Sequence, residues 1–272
     1  MSSIAGIDRI AEAFAGARAS GRRAALMPYL MGGYPDLDTC RAIGLAYARA
    51  GADLVELGVP FSDPLADGPV IHAAATTALT AGATVAAVLE VARAIADEVP
   101  VVLMCYANPI VVRGLERFAD LLVASAVSGL IVPDLPLEEA ADVRTACHSR
   151  RLAFVPLVAP TTPPRRLEQI GAGASGFLYT VSLTGTTGER AQVDRRLETV
   201  IARAAAHTRV PVAVGFGIST PEQALAAAAA GADGVIVGSR LVRAAEEAAD
   251  PAEAVGRVVH SFATALSAPA LG

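Results

Sequence analysis

Three carboxylate residues follow one another closely at the end of a predicted strand. Glu56 lies near the end of an apolar run over residues 52–57, and Asp63 and Asp67 follow in a loop that contains several prolines and glycines. Two acids held close together by a stiff loop can take up and release protons in turn, which is the chemistry of general acid–base catalysis. This segment is therefore the first candidate for an active site.

The apolar neighbours of Glu56 predict an unusual carboxyl group. Removal from water disfavours the charged form, so the pKa of a desolvated Glu is raised towards neutral pH. A single Glu at a strand end is more often a solvated loop acid. The functional interpretation therefore depends on which other residues reach the same place.

The basic residues exclude several kinds of enzyme. All 22 are arginine, and the chain contains no lysine. Arginine keeps its proton in proteins and cannot form a Schiff base with a carbonyl substrate. Aldolases that act through a lysine imine, pyridoxal-phosphate enzymes and lysine-containing P-loops are excluded.

Composition points to a cytoplasmic globular protein. The chain has 272 residues, 53% of them hydrophobic, and a net charge of −5 without a basic cluster for nucleic acid. No apolar run is long enough to span a membrane. The three cysteines are far apart, which indicates reduced thiols, and the four scattered histidines do not form a metal-binding motif. We expect no metal site.

Apolar segments of strand length alternate with helical segments along the whole chain. Near-continuous hydrophobic runs are typical of buried parallel strands. The eight predicted strands cover residues 26–30, 54–57, 101–105, 130–132, 153–157, 177–181, 212–214 and 234–237. Eight such units predict an α/β fold, a single (β/α)8 TIM barrel over residues 1–272, preceded by an extra N-terminal helix.

Barrel topology brings polar residues from several strands to one face. Active sites of (β/α)8 barrels lie at the carboxyl ends of the strands. Glu56 lies near the end of the second predicted strand and Asp67 follows it, while Tyr106 follows the third and Tyr179 lies on the sixth. Tyr179 is equally consistent with a core aromatic until its hydroxyl has a partner.

Glycine-rich loops after the last strands predict a phosphate site. Residues 215–219 (GFGIS) follow the seventh strand, and Gly238 and Ser239 follow the eighth, just before a short helix. Backbone N–H groups and a helix N-terminus favour an anion at such a place. A long loop over residues 182–193, rich in Gly and Thr, is either a lid or simply a flexible connection.

At this point the sequence resembles the alpha subunits of tryptophan synthases, almost from end to end. The most specific motif is residues 55–69 (VELGVPFSDPLADGP). Further matching motifs lie at residues 28–35 (PYLMGGYP), 104–109 (MCYANP), 132–136 (VPDLP), 182–188 (SLTGTTG), 214–219 (VGFGIS) and 237–239 (VGS).

The resemblance implies reversible retro-aldol cleavage of indole-3-glycerol phosphate to indole and glyceraldehyde 3-phosphate. Glu56 would be the general acid–base, Asp67 would accept the indole N–H, and Tyr179 would position Glu56. Thr187 in the lid would close onto Asp67. The phosphate would bind Gly188, Gly217, Gly238 and Ser239, and the indole pocket would be formed by Tyr29, Met104, Ile131, Leu157, Phe216 and Ile236.

The resemblance also implies a partner. Alpha subunits assemble with a pyridoxal-phosphate beta subunit into an alpha2beta2 heterotetramer, and indole passes to that subunit for tryptophan biosynthesis. This chain would carry no cofactor of its own. Three other interpretations stay open: a free-standing lyase that releases indole, a barrel that only binds phosphate and regulates a partner, and a sugar-phosphate isomerase.

Overall fold

A computed structural model describes residues 5–181, 190–215 and 217–267 of the chain. Each predicted strand is present there, and the fifth is divided in two. The strands are β1 (Ala25–Met31), β2 (Val55–Gly58), β3 (Val101–Met104), β4 (Gly129–Ile131), β5 (Ala153–Phe154), β6 (Leu157–Val158), β7 (Leu178–Val181), β8 (Val212–Gly215) and β9 (Gly234–Val237).

The strands form one parallel sheet that closes on itself. Their order is β5-β4-β3-β2-β1-β9-β8-β7-β6, so the two ends of the sheet are consecutive in the chain. The Val155 N–H donates to the Leu130 carbonyl on one side, at 2.9 Å, and the Pro156 carbonyl accepts from the Tyr179 N–H on the other, at 3.1 Å. β5 and β6 are therefore two halves of one barrel strand, and the predicted (β/α)8 barrel is confirmed.

The division of the fifth strand differs from the prediction of a continuous strand over residues 153–157. Pro156 has no N–H and cannot donate a hydrogen bond to a neighbouring strand. The first half pairs with β4 and the second with β7. Proline thus marks the point where the segment changes partners.

Helices connect the strands and surround the barrel. The helices within the described residues are α1 (Gly6–Ala19), α2 (Leu37–Arg49), α3 (Pro69–Thr80), α4 (Val85–Ala96), α5 (Ala107–Arg113), α6 (Leu115–Ala124), α7 (Ala141–Ser149), α8 (Pro164–Ala172), α9 (Arg190–Ala205), α10 (Pro221–Ala229), α11 (Ser239–Glu246) and α12 (Pro251–Ser267). None of them alone is long and apolar enough to span a membrane, although α3 and α4, bent by 109°, pass that test as a pair.

The predicted N-terminal helix covers the amino end of the barrel. Ile10 and Phe14 of α1 are buried, and the Phe14 ring centroid lies 6.0 Å from that of Phe177. Glycines at the strand starts make room for them: a methyl group at Gly234 would come within 3.0 Å of the Phe14 ring. α1 therefore closes the end of the barrel opposite the predicted chemistry.

Two aspartates hold the strand starts at this amino end. Asp53 accepts from the Leu26 N–H at 2.8 Å and pairs with Arg22 at 2.6 Å. Asp233 accepts from the Val212 N–H at 2.8 Å and pairs with Arg18 of α1. Each carboxylate bridges a neighbouring strand and a guanidinium group, so these acids serve the fold.

The three cysteines, Cys40, Cys105 and Cys147, are free and buried. Burial raises the pKa of Cys40 to about 11 and that of Cys105 and Cys147 to about 12. A thiol that keeps its proton is a poor nucleophile. Free thiols at all three positions agree with the expectation from their spacing.

Two glycines at strand ends leave space for tyrosines of the barrel interior. A methyl group at Gly58 would lie 2.1 Å from the Tyr29 hydroxyl, and one at Gly215 would lie 2.2 Å from the Tyr179 hydroxyl. Both distances are far below van der Waals contact. The two phenol groups can reach the interior only because these positions have no side chain.

We therefore expect Gly215→Ala to displace Tyr179 and to destabilise the protein. Overpacking of a filled core costs about 1–3 kcal/mol, which chemical denaturation with two-state analysis would measure. Gly16→Ala is the matched control, because nothing lies within 4 Å of the added methyl group and Gly16 is within α1. That change should leave stability unchanged or raise it by up to about 1 kcal/mol. Equal effects of the two substitutions would contradict the close packing of Tyr179.

Candidate active site

A cavity of about 250 Å³ opens at the carboxyl end of the barrel strands. It brings together residues from β1, β2, β3, β7 and β9 and from the loops and helices that follow β2, β8 and β9. The lining residues are Tyr29, Glu56, Asp67, Gly68, Ile71, Met104, Tyr179, Gly217, Ile218, Ser219, Ile236, Gly238, Ser239, Arg240 and Arg243. The predicted face of the barrel therefore carries a cavity.

Glu56 lies at the bottom of this cavity and is almost completely buried, with 1% of its surface exposed. Its partners in the strand register are Tyr29 of β1 and Val102 of β3. Neither carboxylate oxygen has a hydrogen-bond partner among the described residues. Burial, and then the charge of Asp67, raises the pKa of Glu56 to about 8. The carboxyl group is therefore mostly protonated at neutral pH, as an acid that donates a proton must be.

Asp67 is the second acid of the cavity and is half-buried at the end of the loop after β2. Burial raises the pKa of its carboxyl group, whereas a hydrogen bond from Tyr106 and the charge of His72 lower it. The surroundings of the two carboxyl groups thus differ. Glu56 lies in an apolar interior without a donor among the described residues, and Asp67 has a donor and a nearby imidazole.

Two tyrosines flank the acids inside the barrel. Tyr29 and Tyr179 are 6% and 3% exposed, so both are part of the interior and of the cavity wall. Burial raises the pKa of the Tyr179 phenol well above its usual value, and the charge of Glu56 raises it further. Tyr179 therefore stays protonated beside Glu56 and can act as a donor.

The opposite side of the cavity is suited to an anion. Gly217 follows β8 with φ of +78°, a left-handed conformation that glycine adopts without strain. Gly238 precedes α11 and Ser239 is its first residue. Arg240 and Arg243 on the same helix also line the cavity, and neither forms an ion pair with a described residue. Backbone N–H groups, a helix N-terminus and two cations thus face one region.

The structure brings most of the predicted site residues together. Glu56, Asp67, Tyr179, Gly217, Gly238, Ser239, Tyr29, Met104 and Ile236 all line the cavity. Ile131 is fully buried in β4 and Leu157 is partly buried in β6, and neither belongs to the lining. Gly188, Thr187 and Phe216 lie outside the described residues, as does most of the predicted lid.

Four lining residues were not predicted from the sequence: Gly68, Ile71, Arg240 and Arg243. Ile218 and Ser219 belong to the predicted phosphate loop over residues 215–219. A signal existed for Arg243, because a residue four positions after Ser239 lies on the same side of a helix as Ser239. This spacing does not apply to Arg240, which directly follows Ser239. Ile71 lies on α3, and its role depends on the angle at which that helix begins.

The described residues contain no group of three His, Cys, Asp or Glu side chains that could hold a metal ion. The cavity lining includes two carboxyl groups, of Glu56 and Asp67, and two phenols, of Tyr29 and Tyr179. These can donate, accept and hold protons. The arrangement therefore suits proton transfer to and from an apolar ligand that carries an anionic group.

The raised pKa of Glu56 predicts a pH-dependent effect of Glu56→Gln on stability. Between the usual pKa of 4.5 and about 8, the folded protein binds more protons at this position than the unfolded chain does. The free energy of unfolding of the parent protein therefore falls as the pH rises through this window. Glu56→Gln removes this loss. The free energy of unfolding of the variant minus that of the parent should therefore increase by roughly 2 kcal/mol or more as the pH is raised from 4 to 8.

Urea denaturation of both proteins across this pH range measures the difference. Gly16→Ala is the control, because it changes no ionisable group and its difference from the parent should not depend on pH. A constant difference between the parent and Glu56→Gln would contradict a raised pKa.

Comparison with known proteins agrees with the cavity. The family model for the tryptophan synthase alpha chain matches residues 14–268. The tryptophan synthase alpha chain of Gloeobacter violaceus is 49% identical over 260 residues, which covers 95% of this chain and 94% of the relative.

Solved structures show the same similarity. Tryptophan synthase of Mycobacterium tuberculosis contains a chain with a TM-score of 0.88 and 37% identity, over 96% of this chain and 99% of that one. The tryptophan synthase a2b2 complex of Pyrococcus furiosus gives a TM-score of 0.82 and 36% identity, over 88% and 97%. The resemblance found in the motifs is confirmed, and the chain belongs to the tryptophan synthase alpha chain family.

Proposed function

We propose that this chain is the alpha subunit of a tryptophan synthase and that it cleaves indole-3-glycerol phosphate to indole and glyceraldehyde 3-phosphate. The main support is the pair of acids, Glu56 and Asp67, at an apolar cavity whose other side carries glycine loops and two arginines. A flat aromatic ring with an anionic tail has complementary chemistry. Family membership supports the same reaction.

The reaction requires one proton to move from oxygen to carbon. Glu56 in its protonated form donates to C3 of the indole ring, and the ring nitrogen becomes positively charged. The Glu56 carboxylate then takes the proton of the glycerol hydroxyl next to the bond. The carbon–carbon bond breaks, its electrons return to the ring, and the hydroxyl carbon becomes the aldehyde. The pKa of about 8 allows Glu56 to act in both directions near neutral pH.

Asp67 would stabilise the charge that develops on the ring. Its carboxylate accepts the indole N–H, and this interaction strengthens as the nitrogen becomes positive. Tyr179 would orient Glu56, since its phenol lies in the same interior layer. Thr187 of the lid would approach Asp67 when substrate is bound.

The phosphate would bind Gly217, Gly238, Ser239 and Gly188. The ring would lie among Tyr29, Met104, Ile236 and Phe216, with Ile131 and Leu157 contributing from the strands beside them. The charges of Arg240 and Arg243 favour the phosphate dianion at this side of the cavity.

We further propose that a beta subunit binds at the carboxyl face of the barrel. Leu65, in the loop after β2, is 85% exposed, and Val111 and Val112 on α5 are 73% and 75% exposed. These apolar side chains follow two neighbouring strands, and such exposed groups are typical of protein interfaces. The similar tryptophan synthase of Pyrococcus furiosus is an a2b2 complex with mutual activation.

In this assembly the pyridoxal phosphate would belong to the beta subunit, and this chain would act without a cofactor. Since it has no lysine, it cannot hold pyridoxal phosphate as an imine. We propose a cytoplasmic heterotetramer that serves tryptophan biosynthesis.

Indole release from indole-3-glycerol phosphate by the purified chain tests this function. We expect slow release that a tryptophan synthase beta subunit accelerates. Glu56→Gln with the same beta subunit is the control for indole formed by the partner preparation. Fast release that the partner does not change would favour a free-standing lyase. No release in either condition would contradict both enzyme interpretations.

The roles of the two acids predict the effects of two isosteric substitutions. Glu56→Gln and Asp67→Asn should each lower kcat by at least about 10²-fold, the scale of a lost acid–base or electrostatic group. Binding of glycerol 3-phosphate, measured by calorimetry, should stay within a few-fold of the parent in both. Asp38→Asn is the control and should have parent kinetics, because Asp38 is exposed on α2 and is not part of the cavity lining. If Asp67→Asn does as well, Asp67 is only a loop acid.

A further inference from the structure

We propose that Tyr106 is a positioning residue for Asp67: its ring and hydroxyl together hold the loop after β2 so that the Asp67 carboxylate faces the cavity. The proposal rests on the proposed function, because it assigns Tyr106 a role through the acid that accepts the indole N–H. Tyr106 itself is not part of the cavity lining.

Tyr106 contacts both ends of the segment that leads to Asp67. Its ring stacks on that of Phe61, with centroids 5.3 Å apart and an angle of 28° between the planes. Its hydroxyl accepts a hydrogen bond from the Ala66 N–H at 3.1 Å. Tyr106 is 3% exposed, whereas Ala66 and its neighbour Leu65 are exposed. A buried side chain therefore anchors an exposed loop just before the acid.

Within the described part of the chain, the hydrogen bond to Tyr106 is the one that joins the backbone N–H groups of residues 60–67 to the barrel. The next anchor on the carboxyl side is the first turn of α3, where the His72 N–H donates to the Gly68 carbonyl. The direction of the Asp67 side chain thus depends strongly on the Ala66 contact.

The hydroxyl of Tyr106 has one proton, and its direction follows from its neighbours. Because the Ala66 N–H is a donor, the hydroxyl oxygen accepts there, and its own proton remains for the Asp67 carboxylate. Burial raises the pKa of Tyr106 to about 12, so the phenol keeps that proton. The hydrogen bond lowers the pKa of Asp67 against the effect of burial. Tyr106 thus favours both the orientation and the ionised form of Asp67.

Tyr106 is itself held by the next strand along the sheet. It is the residue that precedes α5, and the Asp134 carboxylate accepts from the N–H of Ala107, the first residue of that helix, at 2.9 Å. Asp134 lies in the loop after β4. Loops from β2, β3 and β4 are therefore connected in series, and Tyr106 is the side chain that reaches the acid.

Tyr106→Phe tests the proposal, because it keeps the ring stacked on Phe61 and removes the hydroxyl. We expect kcat to fall about 10-fold or more, with KM changed less than about 3-fold, because the lost interaction acts on the transition state. Loss of the donor raises the pKa of Asp67, so the acidic limb of the kcat profile should move to higher pH. A residue that only supports the fold would not move this limb.

Tyr47→Phe is the matched control. Tyr47 is also buried, and its hydroxyl donates to a backbone carbonyl, that of Tyr29, at 3.2 Å. Its loss should lower stability about as much as the loss of the Tyr106 hydroxyl, without a change in the acidic limb. Identical pH profiles for the two variants would overturn the proposal.

The double variant Tyr106→Phe with Asp67→Asn separates this proposal from the proposed function. If Tyr106 acts through Asp67, kcat of the double variant should be less than about 2-fold below kcat of Asp67→Asn alone. Full multiplication of the two effects would refute the positioning role and leave the function intact. Parent kinetics for Asp67→Asn alone would refute the role of Asp67 in the proposed function instead.

Discussion

A buried carboxyl group without a hydrogen-bond partner among the described residues is the constraint on which the site depends. Such a group is costly to bury in its charged form, so the fold must keep it neutral or give it charge partners. Here the interior layer around Glu56 consists of phenols and aliphatic groups. Gly58 and Gly215 have no side chain and so leave space for the phenols of Tyr29 and Tyr179. The register of β1, β2 and β7 therefore determines proton affinity as well as shape.

The two ends of the barrel use acidic residues in opposite ways. At the amino end, Asp53 and Asp233 each accept a backbone N–H and pair with an arginine, so their charge is compensated. At the carboxyl end, Glu56 has neither kind of partner in the described part of the chain, and Asp67 has a phenol in place of a guanidinium. Stability and chemistry are thus separated along the barrel axis, as is general for this fold.

Local patterns predicted the fold well, and contacts distant in sequence limited the prediction of the site. The strands follow from apolar runs, and the start of α10 follows from a local capping box in which the side chains of Thr220 and Gln223 each accept from the other's backbone N–H. At Pro156 the segment changes from pairing with β4 to pairing with β7. This change depends on closure of the whole sheet and cannot be predicted from a local pattern. The predicted catalytic acids line the cavity because Glu56 lies on β2 near its end and Asp67 lies in the loop that follows. Ile71 does so because of a helix angle, and Tyr106 reaches Asp67 through a fold-dependent contact.

The buried thiols and the absence of lysine determine which reagents can label the protein. Amine-directed reagents have no side chain to modify in this protein, and its three thiols are buried and protonated. A cysteine introduced at an exposed position such as Val112 would therefore be the single accessible thiol. A fluorophore or spin label could be attached there without removal of any of the three native cysteines. The protein is thus suited to spectroscopic observation of its carboxyl face.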